Sequence, residues 1–391
     1  MSRILSIYLD MFSSHYLHSG NADFKETSLD KKMQEFGGIF YSNCYTPAPD
    51  TGRSAACMWT GKYPRENGCD ERFKWPKYFL KSNGQDIFTL LKQNNYQIDI
   101  YCDLIYYRAG LFPDSIKKEE IESDYRRFLE KNRNASDIFT LLYLPDLHHY
   151  LANWGYNLDA YNKACDFCCG ILDEVFHELT VDSYDYVLIF GDHGFMLDKS
   201  NKARNVLDDC RTKTGVLVKK QKDDFSVDNS LYSITDLYYT ILNFAGIDQN
   251  PNGLGGKKHE YIMIEDHRNL SNNIGEPIAN WKIVTSDNQY WISENGDWHF
   301  LYEETDFKSQ YWERKLANEM TSFSMMMKLY KAKQEYLFGC YVKKTVYGNE
   351  LKVPLYRKMN MIFSKCMSKL FKSIKTVIFI IKGNNSFWRK K

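Results

Sequence analysis

Five short, mostly unbroken apolar runs alternate with stretches of helical periodicity between Ile4 and Ala245. That alternation restricts the chain to an α/β fold built on a buried, mostly parallel sheet. The runs are Ile4–Leu9, Tyr96–Cys102, Phe139–Leu144, Tyr186–Phe190 and Gly215–Val218. A strand covered on one face would alternate apolar and polar residues; these do not, so helices are expected on both faces of the sheet. Asp86–Lys92 opens on an Asp suited to an N-cap, Tyr161–Leu179 repeats apolar residues at helical spacing, and Leu231–Ala245 ends at Gly246, a good helix terminator. Lys117–Asn134 is dense in both charge signs and reads as an exposed helix or linker. Gln249–Lys258 reads as a loop from its Pro, Asn and Gly.

Further along, the pattern changes. Strand-like Trp281–Thr285, Gln289–Ile292 and Trp298–Tyr302, the last two joined by the turn Glu294–Asp297, predict a small antiparallel sheet. Leu351–Lys391 carries eleven Lys and Arg and no Asp or Glu, with Met359, Ile362, Phe363, Cys366 and Leu370 near one helical face. Such a helix either lies on an anionic membrane surface or packs on the domain or another subunit with its lysines in water. The organisation expected is an α/β domain over residues 1–265, a β subdomain over 266–325 and a basic, amphipathic helical tail over 326–391. A formal net charge of +1 gives no reason to expect a nucleic-acid partner. The ten cysteines are scattered without a repeated CxxC, and Ile4–Leu9 follows Met1 with no leader-like segment between. A reducing, cytoplasmic setting is expected, peripheral on the inner face of the membrane if the tail binds lipid. No apolar run reaches bilayer-spanning length.

Four segments carry chemistry. Ile4–Leu9 ends at Asp10, and in open α/β sheets ligand-binding groups collect at the carboxyl ends of strands. Tyr186–Phe190 runs straight into Gly191-Asp192-His193-Gly194, and a carboxylate beside an imidazole at a strand end suits a divalent cation. Phe139–Leu144 is followed by Asp146, His148 and His149. Tyr45–Gly68 (YTPAPDTGRSAACMWTGKYPRENG) contains a helix opening at Ser54–Trp59, which puts Thr51 at or just before a helix N-terminus. Free N–H groups and the helix dipole there favour anions and a developing alkoxide. Arg53 could make a forked contact with anionic ester oxygens.

Together these segments resemble the alkaline phosphatase/sulfatase superfamily over roughly residues 1 to 320, and the tail has no counterpart there. Thr60-Gly61, Tyr63-Pro64 and Asn67-Gly68 stand as in the sulfatase motif. Counting back from Thr60 by the family's spacing places the nucleophile at Thr51, where sulfatases carry the Cys or Ser that becomes formylglycine; Arg53 stands earlier than the motif arginine. Gly191–Gly194 resembles the family's metal-binding segment. His148 matches the D-x-H spacing of the histidine that contacts the transferred group, with His149 as the alternative and no Pro following. Lys202, Arg211 and Gly215–Val218 follow the order of the family's late Lys, Arg and strand.

The resemblance implies a divalent metal (Mn, Zn, Mg or Ca) held by Asp10, Thr51, Asp192 and His193. Met11 stands where relatives often have a second Asp, so one metal is expected. Thr51 would attack a phosphoryl or sulfuryl group and form a covalent ester, with His148, Lys202 and Arg53 assisting the leaving group and oxygens. Release to water gives a hydrolase, and release to a hydroxyl gives a transferase. The substrate implied is a small-molecule, glycan or lipid ester, such as a cell-envelope precursor. Thr cannot become formylglycine, so phosphodiester or phosphonate chemistry is expected ahead of sulfate. The alternative is a non-catalytic relative that binds an anionic glycan or lipid. No spacing supports His259 or His267 as a second metal position.

Overall fold

A computed structural model describes residues 2–69, 84–197, 207–221, 223–266, 280–293, 298–301 and 324–332. The strands of the larger sheet are β1 (Arg3–Leu9), β2 (Ile39–Tyr45), β3 (Gln97–Tyr101), β4 (Ile121–Glu122), β5 (Ile138–Leu144), β6 (Tyr186–Phe190), β7 (Lys213–Lys220), β8 (Ser226–Asp228) and β9 (Tyr232–Ser233). Their order is β4-β3-β5-β1-β6-β7-β2-β8, with β9 also paired to β2. Every pairing is parallel except those of β7, which runs antiparallel to both β6 and β2. Two reversals cancel, so β2 runs in the direction of β1, β5 and β6. The carboxyl ends of these four strands and the start of β7 therefore share one edge of the sheet.

The helices are α1 (Ser28–Phe36), α2 (Thr51–Thr60), α3 (Pro64–Asn67), α4 (Ile87–Gln93), α5 (Leu104–Arg108), α6 (Tyr125–Glu130), α7 (Asp146–Trp154), α8 (Leu158–Glu178), α9 (Asp209–Thr212) and α10 (Asp236–Phe244). β1 shows why the sheet is central. Ile4 and Tyr8 pack into a core layer with Trp59 of α2, Phe88 of α4 and Ile241 of α10. Leu5, Ile7 and Leu9 pack into the opposite layer with Met33 of α1, Leu151 of α7 and Leu172 of α8. Both faces are covered, as the largely apolar run requires. The charge-dense stretch after Lys117 is more than an exposed linker: it supplies the edge strand β4, and α6 buries Phe128 and Leu129. Residues 231–235, expected as the start of a helix, instead contain β9, and α10 begins at Asp236.

The second sheet is antiparallel, in the order β10 (Ile262–Asp266), β11 (Asn280–Val284), β12 (Gln289–Ser293) and β13 (Trp298–Leu301). Its first strand spans Ile262–Asp266, so this sheet begins within the stretch expected to belong to the larger domain. The turn expected at Glu294–Asp297 lies outside the described residues. The chain divides into two compact units, Met1–Tyr330 and Lys331–Lys391. The basic tail expected over residues 351–391 lies outside the described residues. No helix among the described residues is long and apolar enough to cross a membrane.

Lys282 of β11 ties the two sheets together. Its side chain is fully buried, and its ammonium donates to the Leu207 carbonyl and to Asp209 Oδ1, both at 2.8 Å. Burial alone would raise the Asp209 carboxyl, but the Lys282 and Lys213 charges outweigh it and hold the group below the usual carboxylate range. A folded-state value below the unfolded one stabilises the fold above about pH 4, and that contribution drains away as pH falls toward the folded value. Asp209→Asn leaves Lys282 buried without its charge partner, and should cost about 3 kcal/mol at pH 7. Melting followed from pH 7 to pH 3 should show a smaller acid-side loss of Tm for Asp209→Asn than for the unsubstituted chain.

Candidate active site

The shared sheet edge gathers the residues singled out by sequence. Asp10 follows β1, Asp192 and His193 follow β6, Thr51 follows β2 as the first residue of α2, and His148 follows β5 on the first turn of α7. One ligand atom each from Asp10, Asp192 and His193 lie within 4.8 Å of one another, and all three residues are buried. His193 Nε2 stands 4.0 Å from Asp10 Oδ1 and 3.5 Å from Asp192 Oδ2. Thr51 Oγ1 is 3.3 Å from the same nitrogen.

Each carboxylate has one oxygen engaged and one left over. Asp10 Oδ2 accepts from the Tyr143 hydroxyl at 2.8 Å and bonds His148 Nδ1 at 2.9 Å. Asp192 Oδ1 accepts from the backbone N–H of Met11 at 3.1 Å and of His193 at 2.9 Å. Asp10 Oδ1 and Asp192 Oδ2 are buried with no hydrogen-bond partner. Orphaned charged oxygens at this depth are costly unless a cation joins them. His193 Nδ1 sits 2.7 Å from the Gly194 carbonyl. The proton therefore belongs on Nδ1, which donates to that carbonyl, and the Nε2 lone pair faces the carboxylates. The residues fit a single divalent cation, with Asp10 Oδ1, Asp192 Oδ2, His193 Nε2 and Thr51 Oγ1 as its donors.

The electrostatics agree. Burial raises the Asp10 carboxyl, but the charge and hydrogen bond of His148, with His193 and Tyr143, bring it below its usual value. Burial also raises Asp192; His193 opposes this, the like charge of Asp10 adds to it, and the net shift is upward. Two carboxylates in one dry pocket resist joint ionisation, which a bound cation would relieve. Burial would depress His148, but Asp10 and Asp192 outweigh it and hold the imidazole above its usual value. The Tyr8 and Tyr143 phenols are pushed well up, first by burial and then by the Asp192 and Asp10 charges, so both stay protonated.

Local structure explains the placement. Asp50 caps α2 by accepting from the Arg53 N–H at 3.2 Å, leaving Thr51 on the open first turn. Ser54 Oγ donates to the Asp192 carbonyl at 3.1 Å, fastening α2 to the loop after β6. The glycines around Asp192 and His193 are required by close approach: a Cβ on Gly191 would lie 2.1 Å from the Phe12 carbonyl oxygen, and one on Gly194 2.0 Å from that of Cys210. Met11 adopts a left-handed φ of 67°, an uncommon backbone for this residue, in the turn that points its N–H at Asp192.

Other expected residues fall elsewhere. Arg53, expected to make a forked contact with ester oxygens, is buried at 1% exposure, and its guanidinium bonds Asp50, Asp266 and the Glu265 carbonyl. Lys202 and His267 lie outside the described residues. His149 Nε2 is hydrogen-bonded to the Tyr106 hydroxyl, so His148 is the member of the pair that meets Asp10. His259 bonds both oxygens of Asp236 at 2.9 Å, at the start of α10. Arg211 links two sides of the site: Nη2 donates to the Pro49 carbonyl at 2.9 Å, and its own carbonyl accepts from Gly194 N–H at 2.8 Å. Tyr143 was missed; its signal was a phenol next to the carboxyl end of the strand, beside the Leu144-Pro145-Asp146 turn.

The fold, a mostly parallel sheet with an appended antiparallel one, is shared with sulfatases and a phosphonate monoester hydrolase of known structure. The chain superposes on a 2-O GAG sulfatase with a TM-score of 0.58 at 16% identity, covering 88% of this chain and 92% of that one. A protein solved with its substrate D-glucosamine-2-N,6-O-disulfate gives 0.61 at 14% identity, over 85% and 98%. The phosphonate monoester hydrolase of Silicibacter pomeroyi gives 0.57 at 12% identity, over 85% and 96%. No protein-family model and no curated protein sequence matches the chain.

Proposed function

We propose that this chain is a metal-dependent, sulfatase-like hydrolase or transferase acting on phosphate or sulfate esters through a covalent Thr51 intermediate. One observation carries the reading: two orphaned carboxylate oxygens and an imidazole lone pair converge beside a hydroxyl on the open first turn of a helix. When bound, a divalent cation there would polarise the ester and favour the alkoxide of Thr51. A set of one imidazole and three oxygens favours Mn or Zn over Mg or Ca.

Thr51 Oγ1 attacks the phosphorus or sulfur as its proton passes to solvent, and the bond to the leaving oxygen breaks. His148 has Nδ1 on Asp10, so Nε2 is the nitrogen available to protonate that oxygen. The Asp10 and Asp192 charges favour the protonated imidazole, which suits that role. In the second half His148 takes the proton of a water or acceptor hydroxyl, which attacks and frees Thr51. The first-turn N–H groups of α2 steady the anion throughout.

Thr51 cannot follow the formylglycine route, so phosphodiesters and phosphonate monoesters are the preferred substrates in this reading. A glycan or lipid of the cell envelope is the class proposed, with the basic tail holding the enzyme to an anionic membrane from the cytoplasmic side. Full-length protein should then pellet with anionic liposomes several-fold more than a chain ending near Leu351; equal pelleting removes the membrane role. The activity itself is tested with chromogenic phosphodiester, phosphonate, phosphate monoester and sulfate monoester substrates under Mn, Zn, Mg and Ca. Metal-dependent release, best on the first two, supports the reading. Silence on all four favours a binding protein or a transferase with its own acceptor.

A further inference from the structure

The small sheet is joined to the nucleophile's helix by a buried ion network drawn from both. Arg53, on the first turn of α2, has its Nε 2.6 Å from Asp50 Oδ2 and its Nη2 2.5 Å from the same oxygen. Nη2 also donates to Asp266 Oδ1 at 2.9 Å, and Nη1 to the Glu265 carbonyl at 3.3 Å. Glu265 and Asp266 are the last two residues of β10 and are almost wholly buried. Two more bonds run the same way: the Glu265 N–H donates to the Pro47 carbonyl at 2.8 Å, and Arg65 Nη2 lies 2.6 Å from Glu265 Oε1. The segment from Pro47 to Arg53, which bears Thr51, is thus gripped by β10. Ser54 and Arg211 bind the same segment to the loops carrying Asp192 and leading into β7.

We propose that Arg53 and Asp266 are a positioning pair, through which β10 fixes the N-terminus of α2 so that Thr51 Oγ1 faces the two carboxylates. The small sheet then belongs to the working site. This rests on Thr51 being the nucleophile. A guanidinium fork fixes direction as well as distance, and a fully buried one keeps its geometry only while both carboxylates hold it. Losing one lets the Asp50 cap, and Thr51 beside it, turn. A displacement of about 1 Å at a reacting atom costs about 100-fold in rate. The loss belongs in kcat, because Arg53 is committed to protein acceptors and substrate binding does not draw on it.

The test compares Asp266→Asn with Thr51→Ala on the best diester, alongside Mn affinity by calorimetry. Asp266→Asn should lower kcat roughly 30- to 100-fold with KM within about twofold and Mn affinity within about threefold. If it does not melt cooperatively, Arg53→Lys carries the test; it keeps the charge, cannot reach both carboxylates, and should lower kcat at least about tenfold at unchanged KM. Wild-type kcat in the folded variant, with Thr51→Ala inactive, overturns the positioning pair alone. An active Thr51→Ala overturns the nucleophile and the pair that would position it.

Discussion

Asp192→Asn should lower Mn or Zn affinity by roughly 100-fold or more while leaving the metal-free protein at least as stable as before. The geometry sets both halves of this result. Asp192 Oδ1 is fixed by the N–H groups of Met11 and His193. In the variant the amide oxygen must take that place, because only an acceptor satisfies two donors. The amide NH2 then points where Oδ2 now stands, toward His193 Nε2 and Asp10 Oδ1. A donor group cannot ligate a cation, so one ligand is lost and a positive edge is placed in the cation's position. Without metal the same change removes a charge that burial and Asp10 disfavour. Titration calorimetry gives the affinity, and melting with and without metal gives the stability. A variant that binds metal as wild type does would remove Asp192 from the site.

Thr51→Ala should lower kcat by at least about a thousandfold, with KM changed little, and Thr51→Ser should stay within about tenfold of wild type. The hydroxyl is needed in the transition state, and the first turn of α2 still binds the anion without it. Metal affinity should fall less in Thr51→Ala than in Asp192→Asn, because a neutral donor is lost rather than a charged one. Steady-state kinetics on the best ester read all of this. Equal losses in the Ser and Ala variants would mean that packing matters and the hydroxyl does not.

The sheet was legible where its strands are buried on both faces. Residues 4–9, 139–144 and 186–190 are apolar except for Ser6 and Thr140, because both faces of these strands are covered by helices and leave little room for polar groups. β2 was not legible: Ser42 and Asn43 interrupt its apolar pattern, and β8 and β9, which pair with it, are only three and two residues long, too short to show a period. β10 was hidden for another reason. It ends in Glu265 and Asp266, which read as surface residues, and their burial is supported by Arg53 and Arg65 some two hundred positions earlier.

The site divides in the same manner. Asp10, Asp192 and His193 could be found because each directly follows a buried strand, where side chains meet a ligand. Thr51 was found by motif spacing, and the structure shows it as the first residue of α2. Arg53 beside it suggested a substrate contact from residue type alone; its carboxylate partner on β10 is a long-range fact that local sequence does not carry. The sharing of one Asp10 oxygen by Tyr143 and His148 is likewise set by the β1–β5 pairing and the turn into α7.

The central claim is a covalent ester on Thr51, and the direct measurement is its capture. Protein loaded with Mn or Zn is mixed with the best diester or phosphonate, quenched in acid within milliseconds to seconds, and digested for mass spectrometry. The account predicts one added phosphoryl-type group on the peptide that contains Thr51, appearing in the first turnover, decaying with it, and absent from Thr51→Ala. Turnover with no adduct at any quench time, or an adduct on another residue, would contradict it.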